Sequence, residues 1–251
     1  MLTKNQIKYY SSLLNKKFRQ QEKKFIVEGI KLIAEALDSG FTSEIIIALK
    51  ESAAENLLKQ LNRKKISTEI VKSADFEKLC DTKNPQGIIG VFHFRQQSAM
   101  DFEHEKLIVA LENISDPGNV GTIIRNCDWF GVKNILLSPD CAEVYNPKVI
   151  RASAGSVFHL NVFEEKDFYK VLLEQKKKGF MILSADLNGE NLYTYTHSQN
   201  VILVLANEAN GPTKNLLDIC DSKITIPRKG KAESLNVASA SAVILSTLCK
   251  S

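Results

Sequence analysis

The sequence predicts an α/β protein in two parts: a small α/β sandwich domain over residues 1–95 and a parallel-sheet domain over residues 106–251, joined by a linker at 96–105. Three observations lead there. At 251 residues the chain is long for one domain, since domains cluster at roughly 100–150 residues. Apolar runs of strand length alternate with helical patterns through both halves, the pattern of strand–helix–strand units. Between the halves, "RQQSAMDFEHEK", Arg95 to Lys106, is polar and aperiodic, as linkers are.

In the first half the short apolar run "FIVEG", Phe25 to Gly29, feeds a helix, "IKLIAEALDSG", whose apolar positions recur at helical spacing and whose stop is Ser39-Gly40. "EIIIALK", "ISTEIVK" and "GIIGVFHF" read as strands, with a polar amphipathic helix near Ala53 to Leu61. In the second half strands are expected at "LIVALE", "NILLS", "VFHLNVF", "FMILSAD", "VILVLAN" and "KITIP". Helices are expected at about Val120 to Phe130, Asp167 to Lys178 and Ser234 to Leu248. Apolar strands separated by helices imply a parallel sheet covered on both faces. Ligands then collect at the carboxyl ends of its strands.

Composition excludes several classes. Ordinary apolar content and plentiful charge, 44% and 25%, make a globular protein rather than a disordered one. No window approaches the roughly 18 apolar residues of a membrane span, and "MLTKNQIKYY" has no apolar core behind its charges, so secretion and insertion are not expected. The five cysteines, Cys80, Cys127, Cys141, Cys220 and Cys249, are odd in number and never at C-x-x-C spacing, which points to buried thiols in a reducing cytoplasm. His93, His104, His159 and His197 form no H-x-x-x-H pair, and no metal is expected.

The net charge of +4 is unevenly spread: through Arg95 there are 17 Lys+Arg against 11 Asp+Glu, and beyond it 16 against 18. Much of the excess lies in "KKFRQQEKK", just after Tyr9 and Tyr10. Lys16, Lys17, Arg19, Lys23 and Lys24 read either as a solvated helix face or as a patch that contacts nucleic-acid phosphates.

Three loops at strand ends carry the chemistry. In "ENISDPGNVGTIIRN", Asp116-Pro117-Gly118 reads as a turn, with Asn119 in the loop and Arg125 on the following helix, both able to look into one cleft. A dinucleotide fingerprint is rejected because only Gly118 and Gly121 are present. "GNVG" matches the G-x-x-G loop that clamps a nucleic-acid backbone, without basic residues between the glycines, and an ordinary strand–helix turn stays open beside it. In "LVLANEANGPT" an apolar strand delivers Glu208 into a loop edged by the small residues Ala206, Ala209 and Gly211; the plainer reading is an acid at a helix N-terminus. In "IPRKGKAESLN" the chain turns at Gly230 and enters a helix at Ser234, a plausible N-cap, while Asn236 in the first turn is a poor helix former.

Taken together, "NISDPGNVGTIIRN", "LVLANEANGP" and "IPRKGKAESLNVASASAVIL" closely resemble the three ordered motifs of the SpoU/TrmH class of SPOUT RNA 2′-O-ribose methyltransferases. The basic first half resembles the small ribosomal-protein-like RNA-binding domain that many members carry. The chain departs from the pattern at Ala206 and Ala209, where glycines are usual, and at Pro212, where an aliphatic residue is. The resemblance implies a deep trefoil knot, a homodimer across the C-terminal helix, and S-adenosylmethionine as cofactor. It implies that Leu205, Ala206, Asn207, Gly211, Ile226, Leu235 and Asn236 hold that cofactor, and that Asn119, Arg125, Glu208, Ser234 and Asn236 carry the reaction. Threading explains the chain's end: the uncharged helix from Ser234 to Cys249, rich in Ser and Ala, can pack closely on every side with no charge to desolvate. Its stripes are Val237, Ala240, Ile244 and Leu248, and Leu235, Ala238, Ala242 and Leu245. Ribosomal RNA is the expected substrate; a tRNA methyltransferase and a non-catalytic RNA-binding or assembly protein are the alternatives.

Overall fold

A computed structural model of the chain describes residues 2–50, 55–96, 100, 102–196, 199–207 and 210–250. Two compact units result, Met1–Gln96 with Tyr145–Phe158, and Gln97–Val144 with His159–Ser251.

The first unit opens with α1 (Lys4–Ser12), which the sequence reading did not assign, and α2 (Lys16–Glu22), where a helix face was one of its two readings. Thr3 and Gln6 close a capping box on α1, the Thr3 hydroxyl accepting from the Gln6 amide while the Gln6 side chain accepts from the Thr3 amide. Then come β1 (Lys24–Glu28), α3 (Ile30–Asp38), β2 (Ser43–Leu49), α4 (Glu55–Arg63), β3 (Thr68–Val71), α5 (Ser73–Phe76) and β4 (Ile88–His93). The four strands form one sheet in the order β1-β4-β2-β3, β4 antiparallel to both neighbours and β3 parallel to β2. Ile26, Ile45, Ile47, Ile89 and Val91 on one face bury Ile7, Tyr10, Phe76 and Leu79.

The second unit runs β5 (Leu107–Glu112), α6 (Pro117–Trp129) and β6 (Asn134–Leu137). The chain then contributes α7 (Pro147–Ala152) and a 3-10 turn, Ser156–Phe158, to the first unit. This corrects the strand expected over "VFHLNVF", which begins only at Asn161. The reason is tertiary: Tyr145 stacks on Phe25 at 4.3 Å and Phe158 meets Phe41 edge-on at 5.1 Å, so these apolar residues complete an aromatic core instead of a sheet. The second unit resumes with β7 (Asn161–Glu164), α8 (Phe168–Lys177), β8 (Phe180–Asn191), β9 (Asn200–Ala206), α9 (Lys214–Ile219), β10 (Ser222–Thr225) and α10 (Val237–Leu248).

Its six strands are all parallel, in the order β10-β8-β9-β5-β6-β7. The central strands β5 and β9 are buried on both faces, as their unbroken apolar runs require. β8 is longer than the sequence suggested and is interrupted. Lys223 of β10 pairs with Ser184, but the next residue, Ile224, pairs with Glu190, so the segment 185–189 bulges from the sheet. Gly189 permits this: a Cβ there would lie 2.4 Å from the Ile224 carbonyl carbon.

Two helix starts differ from expectation. Asp116-Pro117-Gly118 is no free turn: Asp116 caps α6 by accepting from the Asn119 amide at 2.9 Å, with Pro117 at the first helical position, so Asn119 sits in the first turn of α6 rather than in the loop. α10 is capped by Asn236 and not by Ser234, because the Asn236 side-chain oxygen accepts from the amides of both Ala238 and Ser239 (3.0 and 3.2 Å).

Candidate cofactor and catalytic site

The parallel sheet sends the loops after β5, β9 and β10 to one edge. A cavity of about 610 Å³ lies there at the ends of β8, β9 and β10, within the range of roughly 300–1,000 Å³ usual for small-molecule sites. Leu205, Ala206, Asn207, Gly211, Ile226 and Leu235 line it, as does Ser234. Gly211 adopts φ 65°, a backbone turn that a β-substituted residue adopts only with strain.

Asn236 does not line the cavity; it ties the third loop to the first. Its Nδ2 donates to Asn119 Oδ1 at 3.0 Å, joining two residues far apart in sequence. About two turns further along α6, Asn126 Nδ2 donates to the Ala238 carbonyl and to Ser241 Oγ, both at 2.9 Å, fixing α6 against α10. Arg125, beside Asn126, is exposed and off the cavity wall, and among the described residues no hydrogen bond or ion pair engages it. Glu208 and Ala209 lie outside the described residues.

The loop after β9 is pinned at both ends. Asn207 Nδ2 donates to the Asn113 carbonyl at 3.0 Å, and Thr213, the cap of α9, bonds to the buried carboxylate of Glu112. The sequence reading missed Glu112. It also missed the wall made by the β8 bulge, Ala185, Asp186, Leu187 and Asn188. Asp186 accepts from the Asn188 amide at 3.0 Å and faces Lys223 Nζ at 3.5 Å. "DLNG" is a run of turn formers inside a strand pattern, which is the one signal that marks this bulge in the sequence. Arg228, Lys229 and Glu233 add charge to the rim, whereas Leu187, Leu205, Leu235 and Ile244 make the wall largely apolar.

In the first unit the basic cluster divides. Lys16, Lys17 and Lys23 are exposed. Arg19 is only 2% exposed and donates to the Leu13 carbonyl at 2.8 Å, holding the α1–α2 junction, so it does not face a ligand. Lys24 is ion-paired with Glu44 and donates to the Tyr9 hydroxyl at 3.0 Å. Burial lowers its basicity, but those two hydrogen bonds outweigh the burial and hold its ammonium above its ordinary pKa. Both cations are used internally, which narrows the outward patch to three lysines.

All five thiols are free, and burial pushes each of them up, Cys80 to about 12, so none offers a thiolate near neutral pH. Among the described residues no group of three His, Cys, Asp or Glu side chains is placed to hold a metal ion.

An open parallel sheet with a ligand-sized cavity at its strand ends, walled by the β8 bulge and the loops after β9 and β10, defines a small-molecule-binding α/β domain of the enzyme type. Residues 106–246 match the SpoU rRNA Methylase family and residues 4–90 the MRM3-like substrate binding domain. The 23S rRNA (guanosine(2553)-2′-O)-methyltransferase RlmP of Bacillus subtilis is 30% identical over 245 residues, covering 96% of this chain and 95% of that protein. An AdoMet-bound rRNA methyltransferase from Sinorhizobium meliloti superposes with TM-score 0.85 at 28% identity, covering 98% of this chain and 94% of the other. The SpoU methyltransferase AviRb of Streptomyces viridochromogenes, at 23% identity and TM-score 0.87, shares the fold over 99% of this chain and 98% of its own. The chain belongs to the SpoU methylase family.

Proposed function

We propose that the protein methylates a ribose 2′-hydroxyl in ribosomal RNA, with S-adenosylmethionine as methyl donor. The observation that carries this reading is a ligand-sized cavity walled by the β8 bulge and the loops after β9 and β10, with the start of α6 tied to the start of α10 by the Asn119–Asn236 hydrogen bond. The matched family, RlmP of Bacillus subtilis and the 23S rRNA (uridine(2479)-2′-O)-methyltransferase of Streptomyces viridochromogenes support it. Those two relatives are named for different nucleosides, guanosine and uridine, and for the same 2′-oxygen, so ribose is the supported target and the nucleotide stays open. The cavity also weighs against a non-catalytic role: with Ala206 in its wall it still has the volume of a cofactor site.

The residues present fit the cofactor. Leu187, Leu205, Ile226 and Leu235 offer apolar walls for a purine, and Asn207, Asn210 and Asp186 offer polar contacts for its ribose and its cationic groups. When bound, S-adenosylmethionine supplies a methyl on a sulfonium, which passes to the 2′-oxygen as the methyl–sulfur bond breaks. The chain's own task is to orient the hydroxyl and stabilise its oxygen as the proton leaves. A guanidinium stays protonated in proteins, so Arg125 acts as an anion binder, gripping an RNA phosphate or the developing alkoxide, and not as the base. Asn119 and Asn236 hold the helix starts on either side, and Ser234 faces the cavity. We assign Glu208 the task of orienting Arg125 or the ribose.

The first unit supplies RNA affinity through Lys16, Lys17 and Lys23. The knot, the homodimer across α10 and a cytoplasmic location belong to the same reading. Free thiols favour a reducing compartment, and the uncharged α10 favours close packing on several sides. Mapping 2′-O-methyls in ribosomal RNA from a strain lacking the gene, then restoring the lost mark with purified protein, tests the activity; an unchanged methylation map would refute it. Light scattering tests the dimer, and a fully active monomer would exclude it.

A further inference from the structure

Glu112 ends β5 fully buried, and among the described residues no cation pairs with it. Its carboxylate accepts from the Tyr169 hydroxyl at 2.6 Å, the Thr213 hydroxyl at 2.7 Å and the Thr213 amide at 3.0 Å. The two hydroxyls also lie 3.0 Å from each other, closing the network, and the Thr213 amide, which can only donate, fixes Glu112 Oε2 as an acceptor. Burial, followed by the bond to Glu112, raises the Tyr169 pKa, so the tyrosine keeps its proton for this bond.

Burying a carboxylate on neutral donors is expensive. Capping α9 does not require it, because the Thr213 hydroxyl itself accepts from the Leu216 amide at 3.3 Å. The position explains the expense. Glu112 is the ladder partner of Ala206, and the next residue, Asn113, accepts from Asn207 through its carbonyl. The end of β5 therefore holds both ends of the loop from Asn207 to Pro212: Asn207 through the Asn113 carbonyl and Thr213 through the Glu112 carboxylate. Asn207, Asn210, Gly211 and Pro212 of that loop line the cavity.

We propose that Glu112 is a positioning residue for cofactor binding: by holding Thr213 and Tyr169 it sets the loop that forms one wall of the cavity. This inference rests on reading the cavity as the S-adenosylmethionine site. Replacing Glu112 by Gln, at nearly constant shape, sets an amide donor against either the Thr213 amide or the two hydroxyls, so the network loses or reverses at least one bond and the loop loses its register with the cavity.

Calorimetry with S-adenosylhomocysteine on the full chain, below every variant's thermal midpoint, provides the test. Glu112→Gln and Thr213→Val should each weaken binding by about tenfold or more, the scale set by leaving buried hydrogen-bonding groups unpaired. Thr213→Ser, which keeps the hydroxyl, should bind nearly as wild type does. Leu136→Ala, a core truncation on another strand, separates positioning from stability: it should lower the thermal midpoint while leaving S-adenosylhomocysteine affinity intact. If Glu112→Gln fails to fold, the Thr213→Val and Thr213→Ser pair decides. Wild-type affinity in Thr213→Val, or a loss no greater than that of Leu136→Ala at matched midpoint, overturns the proposal. A wild-type chain that does not bind S-adenosylhomocysteine at all overturns the cofactor reading and this inference with it.

Discussion

Arg125 and Arg19 show how differently one residue type is used in one chain. Arg19 is enclosed, and its guanidinium donates to a main-chain carbonyl, so its removal leaves that carbonyl unpaired in an apolar setting. Arg125 is exposed on α6, off the cavity wall, with its five donors available to an incoming anion. Replacing Arg125 by Ala should therefore leave S-adenosylmethionine affinity nearly unchanged while the single-turnover methylation rate falls by about 10²–10³, the usual loss for one donor to a developing oxyanion. Arg125→Lys is the sharper variant. It keeps the charge and loses the planar fork, so near-complete loss means two-point recognition of phosphate or ribose. A large drop in cofactor affinity in either variant, measured by calorimetry, would assign Arg125 to the other part of the site.

At the scale of elements, α6 and α10 are held together by amides rather than by charges. Asn236 does two things at once: its oxygen caps α10 and its nitrogen reaches Asn119. Asn236→Asp separates them, because aspartate caps as well as asparagine but has no donor for Asn119 Oδ1. We expect Asn236→Asp to keep its thermal midpoint close to wild type while transfer slows, and Asn236→Ala to lose about 1 kcal/mol of stability as well. Chemical denaturation paired with single-turnover kinetics distinguishes the two losses. The bulge in β8 is the other structural device of the site. Gly189→Ala drives a methyl into the Ile224 backbone, which neither strand can yield without shifting the cavity wall. Its expected cost is about 1–3 kcal/mol, with a weaker affinity for S-adenosylmethionine.

For the whole molecule the question is how two units divide the work. The first belongs to a substrate-binding domain type and carries the basic excess; the second carries the cavity. If the exposed lysines contact RNA phosphates, then affinity falls steeply as salt rises, because each contact releases counterions. Replacing Lys16, Lys17 and Lys23 together by Ala should weaken RNA binding and flatten the salt dependence by about one unit of slope per lost contact, at unchanged cofactor affinity. Arg19→Ala should instead lower the thermal midpoint. An unaltered salt slope in the triple variant, measured by filter binding across salt concentrations, would move the RNA surface elsewhere.

The sequence by itself determined the parallel sheet, because strands buried on both faces must be continuously apolar and "LIVALE" and "VILVLA" are. It also determined the residues of the three loops, because Gly, Pro, Asn and Ser at strand ends carry their backbone preferences locally. Only the tertiary structure decided what those residues touch. Asn236 is a poor helix former in sequence and a helix cap in space, since a cap is defined by which amides it reaches. "DLNG" marks the β8 bulge locally, but the jump in register between β8 and β10 exists only once the two strands pair. "VFH" has the composition of a strand, yet Phe158 joins the aromatic core of the first unit because Phe25 and Phe41 are there to receive it. Glu112 reads as the last residue of an apolar strand; its role exists only because Thr213 and Tyr169, distant in sequence, bring the donors that a buried carboxylate requires.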